Sequence, residues 1–206
     1  MYYRTRCPFC CYAHPVSVTD PPARRLRVDA QRNRDALLTT AKAVFARLGT
    51  DAPLDLIAQE TGVGRGTLYR HFPSREHMFA AIMRDSATVL ENKANDLAEA
   101  PDLLDVLPTW LRLYDQFATE YPGMSAHVGG LTDDGSPVAR TCGPMKESFA
   151  RLWVRAQRDG RARADVTAAQ ALALISSLPK EPTTGRTIEP YLDIALEGLR
   201  VLGNIQ

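Results

Sequence analysis

The stretch LDLIAQETGVGRGTLYRHFPSR, from Leu54 to Arg75, decides how the rest of this chain is read. Leu54, Ile57 and Ala58 share one face of a short helix, and Pro53 suits its first turn. Gly62-Val63-Gly64 breaks that helix, and a second short one runs from Arg65 to His71. Gly62 follows a helix end, where a positive φ is cheap only for glycine. Two short helices joined by a tight glycine-containing turn and packed on a longer preceding helix make a helix-turn-helix. Leu56, Ile57, Val63 and Leu68 fix the crossing. The second helix then presents Arg65, Thr67, Tyr69, Arg70 and His71. Arginine can read guanine bidentately in a major groove, while hydroxyl and imidazole groups suit phosphate oxygens.

Upstream, a helical period begins near Asp29 or Gln31. Leu37, Ala41, Val44, Phe45 and Leu48 fall on one face, and Gly49 is placed to stop the helix. Downstream, Phe72-Pro73-Ser74 punctuates the chain, with Ser74 as N-cap and Glu76 near the positive end of the helix dipole. Phe79, Ile82, Met83, Leu90 and Leu97 keep helical spacing up to Pro101.

The second half is helical but more broken. Leu104, Leu107, Leu111, Tyr114 and Phe117 form an apolar face that Pro108 bends or restarts. Ser136-Pro137 opens a helix whose face includes Phe149, Leu152 and Val154 and which ends at Gly160. Gly143-Pro144 interrupts it, as a kink that opens a pocket or as a tolerated irregularity. Thr167 caps a helix through Leu178. Ile188 to Leu202 closes the chain with Tyr191, Ile194, Ala195, Leu199 and Leu202 on one side. No segment alternates as a strand, so the expected fold class is all-α.

Composition agrees with a globular chain: 206 residues, 45% hydrophobic and 24% charged, with a formal net charge of +1. That small net charge hides an asymmetry. Residues 1–84 carry 13 Arg/Lys against 7 Asp/Glu, and residues 85–206 carry 12 against 17. A front end at +6 is suited to a polyanion and a back end at −5 is not. No apolar run reaches the roughly 20 residues needed to span a bilayer, and Pro8 and three cysteines interrupt the stretch after Arg4 and Arg6. The expectation is a cytoplasmic protein without a membrane partner, so Cys7, Cys10, Cys11 and Cys142 are not read as a disulfide framework.

Residues 1–30, with Pro8, Pro15, Pro21 and Pro22 and no helical period, read as a flexible extension. Arg24, Arg25 and Arg27 on it can reach DNA phosphates or a minor groove. Cys7-Pro-Phe-Cys10-Cys11 with His14 could instead hold zinc or sense redox state, which is the alternative reading of the chain. The spacing is compact and has no second half, so no metal site and no cofactor are assigned. No Ser/His/Asp set, metal-ligand spacing or glycine-rich phosphate loop appears, and the four histidines are not grouped with carboxylates. The chain is not read as an enzyme.

From Arg34 to Arg84 the sequence resembles the DNA-binding domain of the tetracycline-repressor (TetR) family. The matching residues are Phe45, Gly49, Ile57-Ala58, Gly62-Val63, Gly66-Thr67-Leu68-Tyr69, His71-Phe72 and Ser74-Arg75-Glu76. The resemblance implies that Arg65 and Gly66 start the recognition helix against base edges. It also implies that Thr67, Tyr69 and His71 hold phosphates, with Arg70 beside them. Arg75 stands where the family usually has a lysine and would take its phosphate. Gly64 replaces a commoner serine, and Glu60-Thr61 departs from a more usual small residue before the glycine.

Ser136-Pro137-Val138, Arg155-Ala156-Gln157 with Arg163-Ala164-Asp165-Val166, and Leu192-Asp193 with Gly198-Leu199-Arg200 resemble one actinobacterial-type subgroup of the same family. This implies three regions: an extension at 1–30, a helix-turn-helix domain at 31–78, and a ligand-binding and dimerisation domain at 79–206. It further implies a homodimer built on helices near 167–178 and 188–202. Such a repressor binds double-stranded, pseudo-palindromic operator DNA and is released by a small-molecule effector. The large side chains of the middle helices, Trp110, Tyr114, Phe117, Met124, His127, Phe149 and Trp153, are the candidate ligand contacts, weighed against simple core packing.

Overall fold

The computed structural model describes residues 22–100, 106–128, 135–182 and 184–201, with side chains from residue 28 onward. The described chain is helical: α1 (Pro22–Leu48), α2 (Leu54–Thr61), α3 (Arg65–His71), α4 (Arg75–Ala98), α5 (Val106–Ala118), the single turn α6 (Ser125–Val128), α7 (Pro137–Arg158), α8 (Ala168–Ser177) and α9 (Glu189–Leu199). Among the described residues, extended pairing is confined to two isolated bridges, Ala162 with Arg200 and Lys180 with Thr187. No described helix is long and apolar enough to cross a membrane.

α1 begins at Pro22, so the onset expected near Asp29 or Gln31 is corrected, and residues 22–30 belong to a helix rather than to the extension. Proline suits a first helical turn, and Ala-Arg-Arg-Leu-Arg after it are good helix formers. The apolar period is missing there because Val28, Asp29 and Ala30 face solvent instead of a core. Cys7, Cys10, Cys11 and His14 lie outside the described residues.

Three of the helix starts follow side-chain caps. Ser74 accepts from the His77 N–H at 3.4 Å, Ser136 from Ala139 at 3.0 Å, and Thr167 with Gln170 closes a capping box at α8. Leu37, Ala41, Val44 and Phe45 are buried as their spacing requires, but Leu48, on the last turn of α1, is exposed. Val154 is likewise exposed, while Phe149 and Leu152 beside it are buried. α7 runs through Gly143-Pro144 without a break. Pro144 sits on its exposed side, where a carbonyl deprived of its N–H partner can meet water.

α9 departs furthest from expectation. Its buried face is Leu192, Ala195, Leu196 and Leu199, and Tyr191 and Ile194 point outward, Ile194 at 69% exposure. The single apolar side expected there is two sides, one packed in this chain and one left over.

α4 packs along α7 in the most extensive helix–helix contact of the molecule. Both its ends are tied down by arginines. At its start, Arg75 donates from Nη1 to the carbonyls of Thr50 (2.5 Å) and Ala52 (2.7 Å) in the α1–α2 loop. At its end, Arg155 of α7 donates to the carbonyls of Ala98 and of Ala100, the latter at 2.6 Å. A cation at helix carbonyls left without partners is favourable on both hydrogen-bond and dipole grounds.

The α1–α2 loop also touches the segment between α5 and α6. The Thr50 N–H donates to the Pro122 carbonyl at 2.8 Å, and Gly123 has φ +86° with its α-carbon against the Thr50 hydroxyl. A β-carbon at Gly123 would overlap Thr50 Oγ1 and would sit in the left-handed region besides. Gly123→Ala is therefore expected to lower stability by roughly 1–3 kcal/mol in chemical denaturation. Gly66→Ala, where an added β-carbon meets nothing within 4 Å, should change stability by less than about 1 kcal/mol, the helix-propensity difference having the opposite sign.

Candidate nucleic-acid interface

The α2–α3 turn is set by one left-handed residue. Gly62 takes φ 72° and ψ 18°, its N–H returns to the carbonyls of Ala58 and Gln59, and the Val63 N–H returns to Ala58 at 3.1 Å. This ends α2 and redirects the chain within three residues. Gly64, extended at φ −62°, then starts α3 without a side-chain cap.

Leu68 is the fully buried residue of α3, and Phe72 directly after it is buried too, beneath the Arg34 guanidinium at 5.4 Å. With Leu68 inward, Arg65, Gly66, Tyr69 and Arg70 are exposed, and Thr67 and His71 are half-buried on the flanks. The structure brings these six expected contact residues onto one helix of seven residues. Tyr69, at 41% exposure, leaves a large ring in water that the fold does not use.

Arg75 has a different place. Its Nη1 is turned inward onto the α1–α2 loop, where it clamps two carbonyls. Position alone, first turn of the fourth helix, did not reveal that two carbonyls compete for the guanidinium.

A residue outside the expected set matters here. Asp55, on the first turn of α2, pairs through Oδ2 with Arg65 Nη2 at 2.8 Å. Its Oδ1 is sealed from solvent without a hydrogen-bond partner among the described residues. Asp55 thereby holds the Arg65 side chain against α2. The pair is largely exposed, so by itself it is worth about 0–1 kcal/mol and can yield to a stronger partner. Its sequence separation of ten residues leaves no local signal. Arg47 and Glu60, paired at 2.5 Å, brace α1 against α2 in the same way.

The seven candidate ligand contacts divide differently. Trp110 stacks on Phe149 (4.3 Å between centroids) and on Tyr114 (5.7 Å), Phe149 meets Trp153 (5.7 Å), and Tyr114 meets Phe117 (6.3 Å). Their polar ends are satisfied internally. Trp110 Nε1 donates to Leu90 at 3.0 Å, Trp153 Nε1 to Val166 at 2.9 Å, and the Tyr114 hydroxyl shares a hydrogen bond with Ser176 at 2.9 Å. Trp110, Tyr114, Phe149, Trp153 and Met124 are buried in the core. His127 is exposed, stacked on Phe79 at 5.1 Å. Phe117 is the one of the seven that lines a large cleft, of about 640 Å³, between α4 and α5. Val89, Leu90, Lys93 and Leu113, none of them anticipated, line it too.

Cys142 is buried on α7 and burial pushes its thiol up to about 11, the opposite of a reactive thiolate. Among the described residues no three His, Cys, Asp or Glu side chains are grouped to hold a metal ion.

Comparison with known proteins matches this layout. Residues 37–82 fit the family described as bacterial regulatory proteins, tetR family, and residues 104–201 fit the C-terminal domain of SbtR-like transcriptional regulators. The nucleoid occlusion factor SlmA of Vibrio vulnificus is 35% identical over 75 residues, 36% of this chain and 38% of that protein. The chain thus matches little more than a third of the length of such curated relatives. A TetR transcription regulatory protein from Mycobacterium vanbaalenii is 31% identical, with 85% of this chain and 99% of that one covered and a TM-score of 0.47. A tetR-family regulator from Rhodococcus, 17% identical with 84% and 99% covered, shares the fold at a TM-score of 0.56. With its reading head and its C-terminal domain both matched in one order, the chain belongs to the tetracycline-repressor family of DNA-binding transcriptional regulators.

Proposed function

We propose that this protein is a homodimeric repressor that reads a pseudo-palindromic operator with α3 and leaves it when a small molecule binds the helical C-terminal domain. The observation that carries the reading is the outer face of α3, where Arg65, Tyr69 and Arg70 stand exposed on a helix anchored from behind by Leu68. Arg65 reads a base edge after exchanging Asp55 for guanine. Thr67, Tyr69, Arg70 and His71 hold backbone phosphates and set the register. Gly66, open on its outer side, lets the helix approach closely.

Dimerisation is supported by the second apolar face of α9. Tyr191 and Ile194, with Leu174 of α8, are exposed on the helices expected to meet a partner. A two-fold contact there places two reading heads on one side of the dimer. Residues 31–78 form the reader and residues 79–206 the sensing and dimerising part, with α4 common to both. The α4–α5 cleft, of a volume that suits a drug-sized molecule and walled by α4 itself, supports ligand response.

Binding isotherms on a selected operator and on random DNA test the roles. Arg65→Ala should erase about 1–3 kcal/mol of base preference, whereas Tyr69→Ala and His71→Ala should weaken both DNAs alike. Unchanged preference in Arg65→Ala would remove its base-reading role. Arg75→Ala should lower the stability of the free protein by about 1–3 kcal/mol, measured by denaturation, because two loop carbonyls lose their donor. Ile194→Asp should yield a monomer in sedimentation equilibrium while helical content is kept; a persistent dimer would move the interface elsewhere.

A further inference from the structure

A second cleft, of about 590 Å³, shares Gln116 and Glu120 with the first and lies where three parts of the molecule meet. Its walls are Ala46 of α1, the C-terminal turns of α5, Pro122, and the connector between α8 and α9. Pro122 is the shared wall. Its carbonyl accepts from Thr50 in the reading domain, and a β-carbon on Gly185 of the connector would come within 3.1 Å of it.

Asp115 forms part of this lining and is unusual. The residue is 6% exposed, yet it has an acidic side chain in an otherwise apolar helix face. Lys180 Nζ donates to Thr187 Oγ1 at 2.8 Å, and Thr187 Oγ1 in turn donates to Asp115 Oδ1. Thr119 Oγ1 goes to the Asp115 backbone carbonyl, not to the carboxylate. No described residue hydrogen-bonds Asp115 Oδ2, that oxygen is not fully sealed from solvent, and Asp115 belongs to the cleft lining. The remaining charged lining is Glu120, Glu189 and Arg186, which leaves the cleft net negative. Arg112 answers Glu189 at 3.5 Å but is drawn more closely to Asp193 at 2.5 Å.

A carboxylate in the lining of a polar cleft, with one oxygen satisfied and the other without a partner, is a receptor for a hydrogen-bond-donating cation. Burial acts on both charged groups of the network: desolvation pushes the Asp115 carboxyl up and the Lys180 ammonium down. An ammonium delivered to Oδ2 would supply the counter-charge that Lys180, one hydroxyl away, gives only in part.

We propose that the junction cleft binds a small aliphatic amine or diamine, with an ammonium group donating to Asp115 Oδ2 and a second positive charge answered by Glu120 at the rim. The site is distinct from the α4–α5 cleft, and the inference rests on the ligand-responsive reading only for its consequence, since binding itself needs no DNA. A ligand here would press on Pro122, and so on the loop that Arg75 clamps to α4.

Isothermal calorimetry of the full chain with 1,5-diaminopentane tests the proposal, with 1,5-pentanediol and pentanoate as uncharged and anionic controls. Saturable binding of one diamine per chain is expected, with neither control binding. Asp115→Asn should weaken the diamine at least tenfold. Arg186→Gln, an exposed change that spares the Asp115 network, should tighten it several-fold. Thermal unfolding of each variant establishes that it is folded. Absence of diamine binding, equal binding of the diol, or an Asp115→Asn or Arg186→Gln affinity equal to that of the parent would overturn the proposal. Because no DNA is present, none of these outcomes depends on whether α3 reads an operator.

Discussion

Everything in this molecule hangs on α4 being held at both ends. Its first turns are built into the reading domain: Arg75 clamps the α1–α2 loop, and Phe79 stacks on Phe45 of α1 at 4.7 Å. Its later turns bury Leu90 and Ala94, along with Ala87, as it packs along α7, and Arg155 of α7 closes its last carbonyls. A helix fixed in two bodies cannot tilt in one without displacing something in the other. The packed interfaces at each end transmit such a displacement because side chains interdigitated at crystal-like density do not yield continuously.

α5 sits at the centre of the C-terminal half, and its faces do different work. Trp110 and Tyr114 stand in the aromatic stack with Phe149 and Trp153, each polar atom answered within the chain. Burial of each such ring contributes about 1.5–3 kcal/mol, and the satisfied hydrogen bonds remove the desolvation cost that would otherwise offset it. The open volumes lie outside this stack, one between α4 and α5 beside Phe117 and Leu113, the other beside Asp115 and Thr119. Both touch elements that reach the reading head, α4 in the first case and Pro122 in the second.

Much of this was legible in the sequence, and the parts that were not have physical reasons. The Gly62-Val63-Gly64 turn, the N-caps Ser74 and Thr167, and the inward faces of α2 and early α1 are local features, set by residues within a turn or two of each other. The start of α1 escaped because an exposed helix needs no apolar period. Tyr191 and Ile194 were merged with Leu199 into one side because spacing on a short helix does not separate a face buried in the chain from one left for a partner. Arg75 and Asp55 escaped for another reason: their partners lie 25, 23 and ten positions away, and only the tertiary fold brings them together. Aromatic spacing, equally, cannot distinguish a stack that fills a core from one that lines a cavity.

In the proposed repressor α3 enters a major groove, twice, in one dimer. Hydroxyl-radical footprinting of the full chain on DNA selected by the protein from a random pool tests it most directly. Two protected half-sites are expected on one face of the duplex, related by a pseudo-dyad and separated by about one helical turn or a multiple of it. Replacing Arg65 should alter the selected bases without moving the protected phosphates. A single unpaired footprint, or uniform protection with no selected sequence, would contradict it.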